Sequence, residues 1–234
     1  MVKLEDIRLE SVWLGELSYD DGLRGQAMAL EKAQEGQAGF ILGLTHKSVV
    51  TLGKRARPEK DLLVSPLTLE DLGIELRFVD RGGEATLHGP GQLVIYPILP
   101  LTSLGVGVRE YVELLEEASI LTLKDYGILA HRGAREPGLY TSQGKIAFFG
   151  VRVQNGVSTH GLSLNVSNDL DLFDLIRSCG VLNESFDSLA SSGINAMPSE
   201  VFKVWTGHFR HLFEDQPWAR PQVPQALALT GLLN

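Results

Sequence analysis

K-I-A-F-F-G-V-R-V-Q-N-G-V-S-T-H-G-L-S-L-N, from Lys145 to Asn165, reads as two strands joined by a two-residue turn. Lys145–Gln154 alternates in part and Val157–Val166 alternates well. Asn155-Gly156 between them is the dipeptide that a type I′ hairpin prefers, because both central residues need positive φ. That loop fixes a register. Gln154 then faces Val157, Gly150 faces Gly161, Phe148 faces Ser163 and Lys145 faces Val166. Two facing glycines leave a strip of bare backbone against which a flat or extended ligand could lie. A simple bend in a twisted hairpin explains the pair equally well.

A second glycine-rich stretch lies upstream. Arg81–Pro97 reads R-G-G-E-A-T-L-H-G-P-G-Q-L-V-I-Y-P. Clustered glycine marks bent backbone or close approach, and Pro90 has no N–H for a ladder. The expectation is a bent strand, a tight turn and a second, buried strand, with Arg81 and His88 placed where a ligand could lie.

Around these, Ser18–Gln34 reads as a helix with Leu23, Ala27 and Leu30 inward and Ser18 or Asp20 as cap. Gly36–Gly39 ends it. Gly39–Leu44, Ser48–Leu52 and Glu75–Val79 are short apolar strands, with a turn near His46. Lys54–Lys60 is the densest basic cluster, either a solvated loop or a patch for an acidic partner. Gly107–Tyr126 is the clearest helix. Val108, Tyr111, Val112, Leu115, Ser119 and Thr122 form its stripe, with Gly127 as the stop. A short strand is expected at Ile128–Ala130, followed by a polar loop from Arg132 to Gly138 that includes Arg135 and Glu136. A short helix is expected at Asp169–Arg177, and Ser178-Cys179-Gly180 ends it. The last helix is Ser199–Phe213, with Val201, Val204, Trp205, His208 and Leu212 inward and Asn168 or Ser199 as caps. The Pro-rich, then apolar, end Gln216–Asn234 is expected to pack on the body. Strands, helices and a hairpin together give α+β, a mixed and mainly antiparallel sheet flanked by helices.

Composition bounds the function. The 234 residues are 44% hydrophobic and 21% charged, with 25 glycines and 10 prolines, a globular balance. No linker divides residues 1–234, so one domain is expected. No apolar run approaches the roughly 18 residues of a membrane span, and Met1–Asp6 carries acids rather than a signal core. The single cysteine points to a reducing, cytoplasmic setting. A net charge of −8 argues against nucleic-acid binding.

Lone cysteines are usually small buried hydrophobes. Cys179 is singled out because it precedes Gly180 at an element end, and because Lys145 opens a strand where a charge is unwelcome. A lysine turned into a cleft favours the thiolate, the form that attacks. An exposed strand-edge lysine is the plainer alternative. No G-x-x-x-x-G-K-[ST] phosphate loop is present. His208 and His211 are three apart without an evident acidic partner, so no metal site is expected.

Three separated motifs resemble the lipoyl(octanoyl) transferase family. They are R-G-G-x-x-T-x-H-G-P-G-Q at Arg81–Gln92, then G-K-I-A at Gly144–Ala147 with Gly150 and H-G-x-x-x-N at His160–Asn165, and finally D-L, F and C-G at Asp169-Leu170, Phe173 and Cys179-Gly180. The resemblance implies a biotin/lipoate protein ligase catalytic fold and transfer of an octanoyl group through a Cys179 thioester, with Lys145 lowering the thiol pKa. It implies substrate contacts at Arg81, Gly82, Gly83, Glu84, Ala85, Thr86, Leu87 and His88, at Phe148, Phe149 and Gly150, and at Gly161, Leu162 and Ser163. The implied donor is acyl carrier protein bearing octanoyl-phosphopantetheine. The implied acceptors are lipoyl domains of 2-oxoacid dehydrogenase complexes and the glycine cleavage H protein; no cofactor is implied. Ser178 departs from the usual proline, Phe148 and Phe149 from smaller or polar residues, and Ser163 from alanine. The rival readings are an ATP-dependent lipoate or biotin ligase, which does not need Cys179, and a non-catalytic acyl- or carrier-binding protein of the same fold.

Overall fold

The computed structural model describes residues 8–35, 38–134, 138–177 and 184–215. Gly36, Arg135, Glu136, Ser178, Cys179, Gly180 and the stretch from Gln216 lie outside them. The elements in order are β1 (Arg8–Leu17), α1 (Tyr19–Gln34), β2 (Ala38–His46), β3 (Val49–Leu52), α2 (Pro58–Asp61), α3 (Pro66–Asp71), β4 (Glu75–Phe78), β5 (Ala85–His88) and β6 (Gln92–Ile98). They continue with α4 (Leu101–Leu104), α5 (Val108–Asp125), β7 (His131–Arg132), β8 (Gly138–Tyr140), β9 (Lys145–Gln154), β10 (Val157–Asn165), a 3-10 turn at Asp171–Leu175, and α6 (Pro198–Glu214).

Seven strands form one sheet in the order β1-β2-β6-β10-β9-β8-β7, and β4-β3-β5 form a second. Only β1–β2 and β3–β4 are parallel, so the architecture is α+β and mainly antiparallel. The β9–β10 hairpin has the register that Asn155-Gly156 requires, Gln154 with Val157 and Gly150 with Gly161. Asn155 and Gly156 both have positive φ, 49° and 81°. The pairing stops at Ala147–Leu164, so Lys145 does not pair with Val166; it meets Tyr140 on β8 and Phe186 instead.

The turn Gly89–Gly91 does not close a hairpin. It carries the chain from β5 in the small sheet to β6 in the large one. The two sheets meet where Phe148 of β9 joins Val50, Leu52, Leu87, Phe173 and Ile176 in one apolar cluster. On the other face of the large sheet, α5 and α6 cover the main core. Gly43 of β2 leaves the space that the Phe202 ring fills, since a Cβ there would come within 2.4 Å of the ring.

Three inward faces differ from expectation. In α1, Leu23 and Ala27 are exposed, and Gly22, Gln26, Ala29 and Ala33 face the sheet. The helix lies too close for leucines: a Cβ on Gly22 would stand 2.6 Å from the His46 ring. Ser18, not Asp20, is its cap. In α5 the expected stripe is buried at Tyr111, Leu115, Ser119 and Thr122, with Leu114 and Ala118 beside it, and Val108 alone is exposed. In α6, Phe202, Thr206, Phe209 and Phe213 join Val201 and Trp205 inward, Leu212 packs partly buried against the same core, Val204 and His208 are half-buried, and the cap is Met197 rather than Ser199. His208 instead reaches Asp125 at 2.7 Å. The strand expected at Ile128–Ala130 forms at His131–Arg132, where Arg132 bonds Glu116. Among the described residues no helix is long and apolar enough to cross a membrane.

Trp205 is fully buried, stacks on Phe209 at 4.9 Å and donates its Nε1 hydrogen to Ser119. Trp205→Ala is expected to lower folding stability by about 3–5 kcal/mol, read from the urea unfolding midpoint. A change below about 1 kcal/mol would contradict this packing.

Candidate active site

A cavity of about 490 Å³ lies between the two sheets. That is within the roughly 300–1,000 Å³ of small-molecule sites. Every residue expected at a substrate site lines it except Leu87, whose side chain packs in the apolar cluster between the sheets. Strand alternation explains the exception, since Thr86 and His88 point one way and Leu87 the other. Lys54 and Arg55 of the basic loop also line the cavity, as do Tyr19, Val94, Tyr96, Val108, Val112 and His160. Tyr19, Tyr96 and the turn residue His46 carry no sequence signal beyond isolated aromatic character. His160 stands inside the H-G-x-x-x-N motif.

Arg81 plays a structural part in this wall. Its guanidinium donates to Thr51 O at 2.7 Å, Gly82 O at 2.9 Å and Glu84 O at 2.8 Å. It thereby folds the Gly82-Gly83 loop back onto β3. The facing glycines serve close packing as well as the cavity. A Cβ on Gly161 would lie 2.2 Å from Ile95 O, and one on Gly150 would touch Arg81 and Gly82. The bare strip is therefore partly covered by protein. His160, just before Gly161, takes φ 57°, a rare conformation for a residue with a side chain. Gln26 accepts its N–H at 2.7 Å, and its Nε2 meets Asp80 at 3.2 Å.

Lys145 is 1% exposed, not an edge charge. One glycine makes room for it, and a second makes room for the chain that runs beside it. A Cβ on Gly138 would stand 2.9 Å from its Cε, and one on Gly144 would strike the backbone of Ser185. The segment after residue 183 lies along the strand start, with Lys145 N donating to Ser185 O and Asp187 N to Lys145 O. An isolated buried ammonium costs several kcal/mol. Here Glu184 Oε1 lies 3.7 Å from Nζ, and the Tyr140 and Phe148 rings lie 5.4 and 5.1 Å away. Tyr140 OH donates to the same Glu184 oxygen at 2.8 Å. Lys145 itself does not line the cavity, but Phe148, under its ammonium, does. Cys179 lies outside the described residues. No group of three or more potential metal ligands occurs among those described.

Burial disfavours the charged form of two histidines in the cavity wall, His88 and His160, and of His46 beside His88. Burial lowers His46 and His160 to about 4 and His88 to about 3. Burial likewise raises Tyr19 to about 12. The unfolded chain binds protons at these histidines below about pH 6.5, and the folded chain does not. Stability should therefore be full above that pH and fall as pH drops towards 4. The urea midpoint is expected to decline between pH 7 and pH 5, with a shallower decline in His88→Gln. Parallel slopes for the two proteins would refute the assignment.

Comparison with known proteins agrees with this geometry. A family model for the lipoyl protein ligase A/B catalytic domain matches residues 19–209. The octanoyltransferase of Solibacter usitatus is 41% identical over 202 residues, covering 86% of this chain and 91% of that one. The mitochondrial octanoyltransferase of Arabidopsis thaliana is 37% identical, covering 82% and 83%. Among solved structures, a putative lipoate protein ligase of T. acidophilum with bound lipoic acid has a TM-score of 0.68 at 16% identity, covering 89% of this chain and 86% of that one. A lipoate-protein ligase A bound with ATP gives 0.69 at 15% identity, covering 89% and 86%. At such identities the structures speak to the fold, and the closer relatives decide the branch: the chain belongs to the lipoyl protein ligase A/B catalytic-domain family, among its octanoyltransferases.

Proposed function

We propose that this chain transfers an octanoyl group from octanoyl-acyl carrier protein, through a thioester on Cys179, to a lysine of a lipoyl domain, in the cytoplasm. In the first half-reaction the Cys179 thiolate attacks the thioester carbonyl. The carrier's pantetheine thiolate leaves and takes up a proton. In the second, a lysine amine attacks the acyl-enzyme, an amide forms, and the cysteine sulfur departs. Acyl transfer between thioesters followed by amide formation runs downhill without ATP. The acceptors are lipoyl domains, including those of 2-oxoacid dehydrogenase complexes and the glycine cleavage H protein.

The observation that carries the reading is the buried ammonium of Lys145. Arg177 and Glu184 flank the segment that contains Cys179. Ile176 lies in the same apolar cluster as Phe148, and Glu184 is the ion partner of Lys145. The proposed role sets the Lys145 ammonium beside the Cys179 sulfur. A cation there would favour the thiolate, whose ordinary pKa is about 8.5. Thr86, His88 and the glycine backbones would contact the acyl and pantetheine chains. Lys54, Arg55 and Arg57 would meet the acidic carrier. Arg57→Glu should then raise KM for the carrier and leave KM for the lipoyl domain unchanged, and equal KM values with wild type would remove the docking role.

Cys179 is the only cysteine, so alkylation with iodoacetamide reports its titration alone. The midpoint is expected below 8.5 in the native protein and about a unit or more higher in Lys145→Gln. A midpoint that ignores the substitution would end the pairing of these two residues. Cys179→Ser should lower transfer by at least about 10³-fold, and intact mass should show one octanoyl group on the native protein. Labelling of a lipoyl domain from octanoate and ATP, but not from octanoyl-carrier protein, would instead establish a ligase.

A further inference from the structure

We propose that His88 is the proton acceptor of the second half-reaction, taking the proton of the attacking lysine amine on Nε2, and that Gln92 and Asn165 are positioning residues that fix its tautomer. The proposal rests on the octanoyl-transfer reading above and assigns a residue to its second step.

The argument starts from a backbone carbonyl, which can only accept. Asn165 Nδ2 donates to Asp187 O at 3.0 Å, so Asn165 presents Oδ1 on its other side. Gln92 Nε2 donates to that oxygen at 2.9 Å, and Asn168 Nδ2 does so at 3.2 Å. Gln92 therefore turns Oε1 towards His88, where it lies 2.6 Å from Nδ1. An amide oxygen has no hydrogen to give, so Nδ1 carries the proton of the neutral ring. The remaining nitrogen, Nε2, is a bare lone pair. His88 lines the cavity, and no hydrogen bond to Nε2 exists among the described residues. The same relay continues to Lys145, because Asp187 N donates to Lys145 O at 3.0 Å. Imidazole and ammonium are thus held by one hydrogen-bonded frame.

A lone pair in an acyl cavity needs a donor, and the octanoyl chain has none. The attacking amine does. As its nitrogen bonds to the thioester carbon and the C–S bond breaks, the sulfur leaves with the electron pair as thiolate. The nitrogen, now cationic, passes one proton to Nε2, and the imidazolium releases it to solvent. Lys145 is ill suited to this step, since an ammonium that holds the thiolate is already protonated. The titratable and charged groups facing His88 are His46 on β2, with ring centroids 5.7 Å apart, Arg81 before β5 and His160 on β10. All three disfavour an imidazolium, and no carboxylate is among them. His88 therefore stays neutral through the working pH range. So weak a base takes the proton only once the C–N bond has formed and the nitrogen has become acidic.

The test separates the half-reactions. Wild-type protein is octanoylated on Cys179 from octanoyl-carrier protein, followed by intact mass, and then mixed with lipoyl domain. His88→Gln should slow transfer to the lysine about 10²-fold beyond any slowing of acylation, with partial rescue of the second step by added imidazole. Gln92→Glu puts a carboxylate beside Nδ1, favours the imidazolium, and should give the second step an acid limb near neutral pH that wild type lacks. Equal slowing of both steps in His88→Gln, or no slowing of the second, would overturn the proposal. If His88→Gln does not fold, the Gln92→Glu profile decides, and a profile matching wild type overturns it. Failure of wild-type Cys179 to take up an octanoyl group would sink the transferase reading instead.

Discussion

A lysine ammonium with almost no solvent contact sits at the start of a strand, and its neighbourhood is arranged around that fact. Lys145 has room because Gly138 lacks a side chain, and Gly144 lets the backbone of Ser185 lie against the strand start. It is tolerated because Glu184 and two aromatic rings face it. Glu184 is there because Ser185 and Asp187 bond to the backbone of Lys145. Phe186, in the same segment, stacks on Phe173 at 4.3 Å and closes the apolar cluster between the sheets. An unpaired charge at this depth would cost several kcal/mol. The site and the junction of the two sheets are therefore one construction.

The hairpin was legible in the sequence because its cause is local. Asn155-Gly156 dictates the turn, the turn dictates the register, and the register puts Gly150 opposite Gly161. Helix positions were legible for the same reason, but helix faces were not. Which side of α1 turns inward depends on how near the sheet lies, and His46 sits close enough that only small residues fit. In α6 the addition of Phe202, Phe209 and Phe213 to the inward face is decided by a core assembled from β2, β6 and α5. The destination of β6 was equally hidden, since a Gly-Pro-Gly turn reads as a hairpin whether the next strand pairs with the last or enters another sheet.

Of the site, the motif residues could be read and the frame around them could not. Arg81 was marked by its motif as a residue that meets ligand. Its hydrogen bonds go to Thr51 and the glycine loop, contacts between residues thirty positions apart that no local pattern reveals. The Asn165–Gln92–His88 relay spans 73 positions between its amides. Both amides stand inside motifs, yet their pairing exists only once β6 and β10 lie side by side.

The two half-reactions of the proposed transfer make opposite demands, and the environments of Lys145 and His88 differ in the same sense. Stabilising a thiolate calls for a group that keeps its positive charge, and Lys145 has a carboxylate and aromatic faces around it. Accepting a proton from an amine calls for a group that arrives empty, and His88 has Arg81 and two further histidines around it, with an amide rather than a carboxylate on Nδ1. Exchanging the partners would defeat both: a carboxylate at Gln92 would charge the imidazole, and a neutral residue at Glu184 would leave the ammonium without its counter-ion whenever the sulfur is acylated. In the proposed cycle that last state is the acyl-enzyme between substrates. On that reading Glu184 matters most when the cysteine carries no charge, as the carboxylate that still faces Lys145.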